Sequence, residues 1–324
     1  MTGTSGFVGG AVGRYLRARG HHVTGLSRSP PRVGATDQAL AHDLARPPPE
    51  TRPFDAVIHA AALSAPWGRP ADFDAANVAG TRHALAIAAR SGARFLLISS
   101  SSVLYVPGDQ RALPEEPPPA TPPVNHYART KRAAEALTAA YPGAWAILRP
   151  RAVYGVGDTV LFPRIARAAR LRLLPRFRRE VPAEGDLLSI DTLVRQVARA
   201  VEGGAQGIFH LVDPAPARIE AFVTDVLTRL GLPGPALTVD PALARRAAAG
   251  LEALSRRTGW WEPPLTGFGI DVFTATKTFD DRRTRTLIGP PDVPTDLAVD
   301  RFRGWWQAGS RLDDPALGRV GEDP

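Results

Sequence analysis

The chain of 324 residues is 44% hydrophobic, has no cysteine and carries a formal charge of +8. The length suits one large α/β domain with a smaller appendage; the lack of cysteine excludes disulfides, thiolate metal ligands and a cysteine nucleophile, and fits a reducing, cytoplasmic setting. No apolar run reaches the roughly 18 residues of a membrane span, glycines break the first apolar stretch so that no signal peptide is read, and scattered arginines without an interleaved aromatic stripe reflect compositional bias rather than nucleic-acid binding.

Thr2-Gly3-Thr4-Ser5-Gly6-Phe7-Val8-Gly9-Gly10 opens the chain, and a helix follows with Val8, Val12 and Leu16 on its buried side. Glycines at 3, 6 and 9 permit a tight turn, close approach to a pyrophosphate and close helix packing, while the helix N-terminus offers N–H groups to phosphates. Gly3, Ser5, Gly6, Phe7, Val8 and Gly9 are therefore candidate cofactor contacts. Such a loop follows a buried strand, yet here it starts at residue 2. The expectation is a misplaced start that removes the first strand and leaves a vacant slot at the centre of the sheet.

His22 to Leu26 reads as the next strand, ending in Ser27-Arg28-Ser29. A carboxylate there would hold the ribose hydroxyls of NAD; Arg28 suits a 2′-phosphate, so NADP is expected and NAD is the alternative. Asp43 and Leu44 fall near the adenine. Phe54 to His59 is a short apolar strand running into Ala60, Ala61 and Ala62, whose small side chains let a cofactor lie against the backbone. Asn77 to Thr81 opens a helix. Arg94 to Ile98 is nearly all apolar, as a strand covered on both faces should be. It ends in Ser99-Ser100-Ser101-Ser102, at the sheet edge where ligands sit in such folds. Residues 107–123, rich in proline and acid, read as a loop over the site. A helix over 127–140 and a sixth strand over 146–149 follow. The segment Pro150 to Asp158 is turn-rich. Beyond 157, helices over 161–173, 192–202, 219–230, 242–258 and 297–307 alternate with short strands such as 208–212. Trp260, Trp261, Phe268 and Phe273 read as core or pocket wall.

Tyr127 and Lys131 lie four apart, on one face of a helix and one turn from each other. A phenol titrates at about 10; a cation one turn away stabilises the phenolate and makes the pair a proton donor and acceptor for a carbinol oxygen. The chain has 40 Lys+Arg, yet Lys131 and Lys277 are its only lysines. A lysine kept in that background points to a task the rigid guanidinium fork cannot perform.

Together these stretches resemble the extended short-chain dehydrogenase/reductase family, over residues 2 to about 307. Ala61 to Gly68, with Pro122 to Tyr127, is similar to its 3β-hydroxysteroid dehydrogenase-like branch, which includes sterol dehydrogenases and bacterial 2-alkyl-3-oxoalkanoate reductases. The resemblance implies a Rossmann-type doubly wound parallel sheet over 1–157, with a smaller, mainly substrate-binding α/β region over 158–324 and some later segments returning to the sheet. It implies that Tyr127 is the general acid/base, and that Lys131 lowers its pKa and holds the nicotinamide ribose. Ser100, with Ser101 as the neighbouring candidate, would bind the carbonyl. Asn77, Ser99, Pro150 and Val153 would lie against the cofactor, with Asn77 also structural or part of a proton relay. Two departures stand out. Leu104 replaces the tyrosine many members carry after the serines, with Tyr105 one place later. Residues 170–179 are unusually basic.

The resulting expectation is hydride transfer between NADP and a ketone or secondary alcohol on a fairly apolar small molecule. No metal and no nucleic acid are expected, and a helix-mediated homodimer is the common assembly in the family. Two other functions compete: a nucleotide-sugar epimerase/dehydratase holding NAD tightly, and a redox-sensing regulator without turnover.

Overall fold

The computed structural model describes residues 1–309. The apolar runs form a parallel sheet because β-branched and large aliphatic side chains fit a surface covered on both sides. Its strands are β1 (Thr24–Ser27), β2 (Gln38–Ala41), β3 (Ala56–His59) and β4 (Arg94–Ile98). A short β5 (Gln110–Leu113) stands apart, and β6 (Trp145–Pro150) returns to the sheet. In space the order is β2, β1, β3, β4, β6 and then the strand Gly207–Leu211, all parallel.

Between β1 and β3 lies the slot expected to be vacant. Met1 and Thr2 take its carboxyl end. Thr2 bridges Leu26 on one side and His59 on the other. Its N–H donates to the Ile58 carbonyl at 3.0 Å, and the Leu26 N–H donates to the Met1 carbonyl at 2.8 Å. Two residues thus join the halves of the sheet across the slot that was expected to be empty.

Helices cover both faces. Along β4 the side chains alternate, because successive residues of a strand point to opposite faces. Leu96 and Ile98 pack with Ala11, Val12 and Leu16 of α1 (Phe7–Ala18), whereas Phe95 and Leu97 pack with Ala84, Ile87 and Ala88 of the other layer. That second layer holds α3 (Gly80–Ser91) and α4 (His126–Ala139); before α3 come the single turn α2 (Pro70–Phe73) and a π-helical turn, Asp74–Ala79. Such turns are frequent at functional sites, and this one carries Asn77.

Beyond residue 157 the chain forms α5 (Phe162–Arg170), α6 (Ile190–Glu202), α7 (Ile219–Arg229), α8 (Pro241–Arg257) and α9 (Gly267–Thr274), with a further helix at Thr295–Gln307. The expected helices are all present, with ends shifted by a few residues. α6 packs beside α1 against the main sheet, and Gly207–Leu211 extends that sheet beside β6.

The segment 107–123 differs from the loop expected. It contains β5, which pairs in parallel with the strand Lys277–Phe279. The pairing partner lies far away in sequence, and Gln-Arg-Ala-Leu has no alternating apolar pattern to announce a strand. Lys277 secures this contact: its Nζ donates to the carbonyls of Val106 and Gly108, each at 2.7 Å, and to Gln110 Oε1 at 2.6 Å. The second lysine is therefore a structural tie. The basic run 170–179 is largely engaged at the surface: Arg170 lies over the Trp306 ring, Arg176 pairs with Glu220 and Arg179 pairs with Asp109.

Candidate active site

The glycine loop joins the carboxyl edge of the sheet to α1. Gly3 has φ +74°, and a Cβ there would lie 2.7 Å from the Ala61 nitrogen. At Gly9 a Cβ would lie 2.2 Å from the Gly3 carbonyl oxygen, so helix and turn touch only because both lack side chains. Gly6 caps α1 without a side-chain hydrogen bond, leaving the first N–H groups of the helix to an outside acceptor. Ser5 and Val8 are half-buried at this turn, and Phe7 is in the core. Ala60, Ala61 and Ala62 run past it, half-buried, with the Ala61 N–H donating to Thr2 Oγ1 at 3.1 Å.

One residue at this loop was missed by the sequence reading. Arg32 is buried, and its N–H donates to the Thr4 carbonyl at 3.1 Å. Its side chain packs across Gly10 of α1, and Nε and one terminal nitrogen have no hydrogen-bond acceptor. A buried guanidinium beside an uncapped helix N-terminus forms a cationic cradle, which fits the pyrophosphate or 2′-phosphate of a dinucleotide. In an arginine-rich sequence nothing but burial distinguishes Arg32 from Arg28, which is exposed at the end of β1.

Asp43 and Leu44 stand just past the end of β2. Asp43 is exposed and its carboxylate accepts from the Ala45 N–H at 3.0 Å. The Leu44 side chain is in the core beneath α3, so only its backbone can face a nucleotide.

At the end of β4 the four serines separate by role. Ser99 donates its hydroxyl to Glu135 Oε1 at 2.5 Å and is buried, so that side chain is not offered to a cofactor. Ser101 is hydrogen-bonded to the Tyr105 hydroxyl at 3.1 Å, also buried. Ser102 Oγ lies 2.9 Å from Ser100 Oγ. Ser100 is the half-buried one, and it is close enough to Tyr127 to influence the titration of its phenol. Asn125 caps α4 by accepting from the Ala128 N–H at 2.8 Å, which fixes the turn carrying Tyr127.

Burial pushes the Tyr127 phenol above its ordinary value, and hydrogen bonds from Ser64 and Ser100 oppose that shift. The sequence reading expected the net effect to be downward through Lys131. Instead Lys131 Nζ donates to the Ile98 carbonyl at 2.7 Å, at the end of β4. Burial brings Lys131 down to about 8, against the opposing charge of Glu135. Glu135, one turn further along α4, is matched by Arg149 of β6 through two bonds, at 2.9 and 2.7 Å. That buried pair, with Ser99, locks α4 against the ends of β4 and β6; no motif marked it in the sequence.

Asn77 ties three segments together. Its Oδ1 accepts from the Leu63 N–H at 2.7 Å and its Nδ2 donates to Thr130 Oγ1 at 2.9 Å, pinning the 61–65 segment and the π-helical turn to α4. Pro150 is buried at the end of β6 and Val153 is half-buried just beyond it. Aromatic side chains from distant segments meet beside α4: Trp67 and Trp260 lie 5.8 Å apart, and Trp260 lies 5.9 Å from His126.

A sequence profile of the NAD dependent epimerase/dehydratase family matches residues 1–207. The chain belongs to that family. Among family relatives, a 2-alkyl-3-oxoalkanoate reductase of Stenotrophomonas maltophilia (strain K279a) is 31% identical over 307 residues, covering 83% of this chain and 86% of the relative. A 4-hydroxy-2-methyl-3-oxo-4-farnesyl-3,4-dihydroquinoline-1-oxide ketoreductase of Stigmatella aurantiaca is 32% identical over 309 residues, covering 89% and 90%. A solved structure of MoeE5 in complex with UDP-glucose and NAD shares the fold, with a TM-score of 0.70 at 21% identity over 96% of this chain and 98% of that one. As a family member the chain is a Rossmann-type α/β protein.

Proposed function

We propose that this chain is an NAD(P)-dependent oxidoreductase that moves a hydride between a nicotinamide and a ketone or secondary alcohol on a fairly apolar small molecule. The observation that carries this reading is the bond from Lys131 to the Ile98 carbonyl, which sets the helix of Tyr127 against the end of β4, where Ser100 follows as a half-buried hydroxyl. Reductases among the relatives support it.

The bound nicotinamide would supply the hydride. The chain's own groups handle the oxygen. Ser100 donates a hydrogen bond to the carbonyl, and Tyr127 delivers the proton as the oxygen gains charge. A phenol held above its ordinary value is protonated at neutral pH, which suits donation in the reducing direction. The Lys131 cation then stabilises the phenolate left behind. Gly3, Gly6, Gly9 and Arg32 would hold the phosphates, and Ala60, Ala61 and Ala62 would lie along the cofactor. Exposed Arg28 would meet a 2′-phosphate, so NADP is the preferred cofactor in this reading. Residues 158–309 would supply most of the substrate-binding surface, while α6 and Gly207–Leu211 serve the nucleotide domain. The assembly would be a homodimer and its setting the cytoplasm.

The test is a titration of NADPH and NADH separately against wild-type and Arg28→Ala protein, followed by a ketone screen. Tighter NADPH binding, with the gap erased in the variant, supports the proposal. NAD retained through purification, with no turnover of any free ketone, would overturn it in favour of a nucleotide-sugar epimerase or dehydratase.

A further inference from the structure

Two hydroxyls neighbour the Tyr127 phenol: Ser100 from the end of β4, and Ser64 from the segment after β3, which favours the ionised phenol more strongly than Ser100 does. A chain of bonds puts Ser64 there. The Leu63 N–H donates to Asn77 Oδ1 at 2.7 Å, and Asn77 Nδ2 donates to the Leu63 carbonyl at 3.3 Å and to Thr130 Oγ1 at 2.9 Å. Thr130 Oγ1 in turn donates to the Tyr127 carbonyl at 3.0 Å. The residue before Ser64 is thus tied to the turn of α4 that carries Tyr127.

Reduction of a ketone consumes one proton per turnover, and a phenolate left on Tyr127 must recover it. Among the described residues, the buried groups around Tyr127 lead inward. Lys131 is 2% exposed and its Nζ faces the Ile98 carbonyl. The Thr130 hydroxyl is spent on the backbone carbonyls of His126 and Tyr127. Asn77 carries an amide, which does not ionise, and both its ends are committed. Ser100 Oγ lies 2.9 Å from Ser102 Oγ, and Ser102 is buried. Ser64 differs: it is exposed, between half-buried Leu63 and Ala65. A hydroxyl accepts from water on one side while donating on the other, so this one side chain joins the phenol to solvent.

We infer that Ser64 is the proton inlet of the site. After Tyr127 has given its proton to the carbonyl oxygen, Ser64 Oγ–H passes its proton to the phenolate oxygen and takes one from a water at the surface. One O–H bond forms on Tyr127, one breaks and re-forms on Ser64, and the hydroxide left in solution accounts for the proton that the reduction consumes. This rests on the oxidoreductase reading given above and adds to it the route by which the proton arrives.

The experiment measures ketone reduction with the preferred cofactor by wild-type, Ser64→Ala and Ser64→Thr proteins, with and without added imidazole. Ser64→Ala should lower kcat by about 10-fold or more while KM for the ketone stays within about 2-fold, and Ser64→Thr should keep kcat within about 3-fold of wild type. Imidazole, a small proton donor, should raise kcat of Ser64→Ala with its concentration and leave wild type unchanged; a merely structural role gives no such rescue. A loss confined to KM would make Ser64 a substrate contact instead. That result, unchanged kinetics, or a kcat loss that imidazole does not relieve would overturn the inference. If wild type reduces no ketone, the oxidoreductase reading fails. The coupling of Ser64 to Tyr127 is then judged by NMR titration of isotope-labelled tyrosine, assigned with Tyr127→Phe. The Tyr127 midpoint should lie higher in Ser64→Ala than in wild type and return in Ser64→Thr; an unmoved midpoint would overturn the coupling as well.

Discussion

Lys131 Nζ lies 2.7 Å from the Ile98 carbonyl oxygen, and this bond ties the helix that carries Tyr127 to the last residue of β4. Ser99, Ser100 and Ser101 follow directly. Their hydroxyl directions are therefore set by the same contact that places the helix. Of the three, only Ser100 is both close enough to Tyr127 to influence its titration and open enough to meet a ligand.

Replacing Ser100 and Ser101 separately distinguishes them. Ser100→Ala should lower kcat by about 100-fold or more, the scale of losing one donor to a developing oxyanion. Ser101→Ala should cost under about 10-fold, because it removes only the bond to Tyr105. Steady-state kinetics on one ketone checks both; the opposite ranking would transfer the carbonyl-binding role to Ser101.

Glu135 and Arg149 are both almost completely buried and are joined by two bonds. Glu135→Ala leaves the guanidinium uncompensated and should cost about 3–5 kcal/mol. Urea unfolding measures this directly. Combining it with Arg149→Met should recover part of the loss. A single-variant cost below about 1 kcal/mol would mean that water reaches Arg149 and that the pair is not the lock described here.

The two lysines make stability depend on pH in a definite sense. Burial lowers each to about 8, below the unfolded value of about 10.4. At pH 7 both states are protonated and the folded protein bears the full cost of burying charge. Between about pH 8 and 10 the unfolded chain holds more protons, so stability rises with pH. Above that window the buried phenols of Tyr105 and Tyr127, held above their ordinary value, reverse the trend. Denaturant midpoints from pH 7 to 10 should therefore climb, and Lys277→Met should flatten the climb. A midpoint that falls steadily from pH 7 would contradict it.

Much of this protein was determined by local sequence alone. The parallel strands, the glycine turn at Gly3 and Gly9, and the placing of Tyr127 and Lys131 on one helix face follow from residue spacing and from what a Cβ can tolerate. These are properties of neighbours along the chain. The tertiary structure decided the rest, because it depends on distant segments meeting. It made β5 a strand by bringing Lys277 to it, and turned Ser99 toward Glu135 and Ser101 toward Tyr105. It lifted the Tyr127 phenol by burial where a nearby cation alone suggested a fall. Above all, it separated buried Arg32 from exposed arginines such as Arg28, because burial is a property of the folded whole.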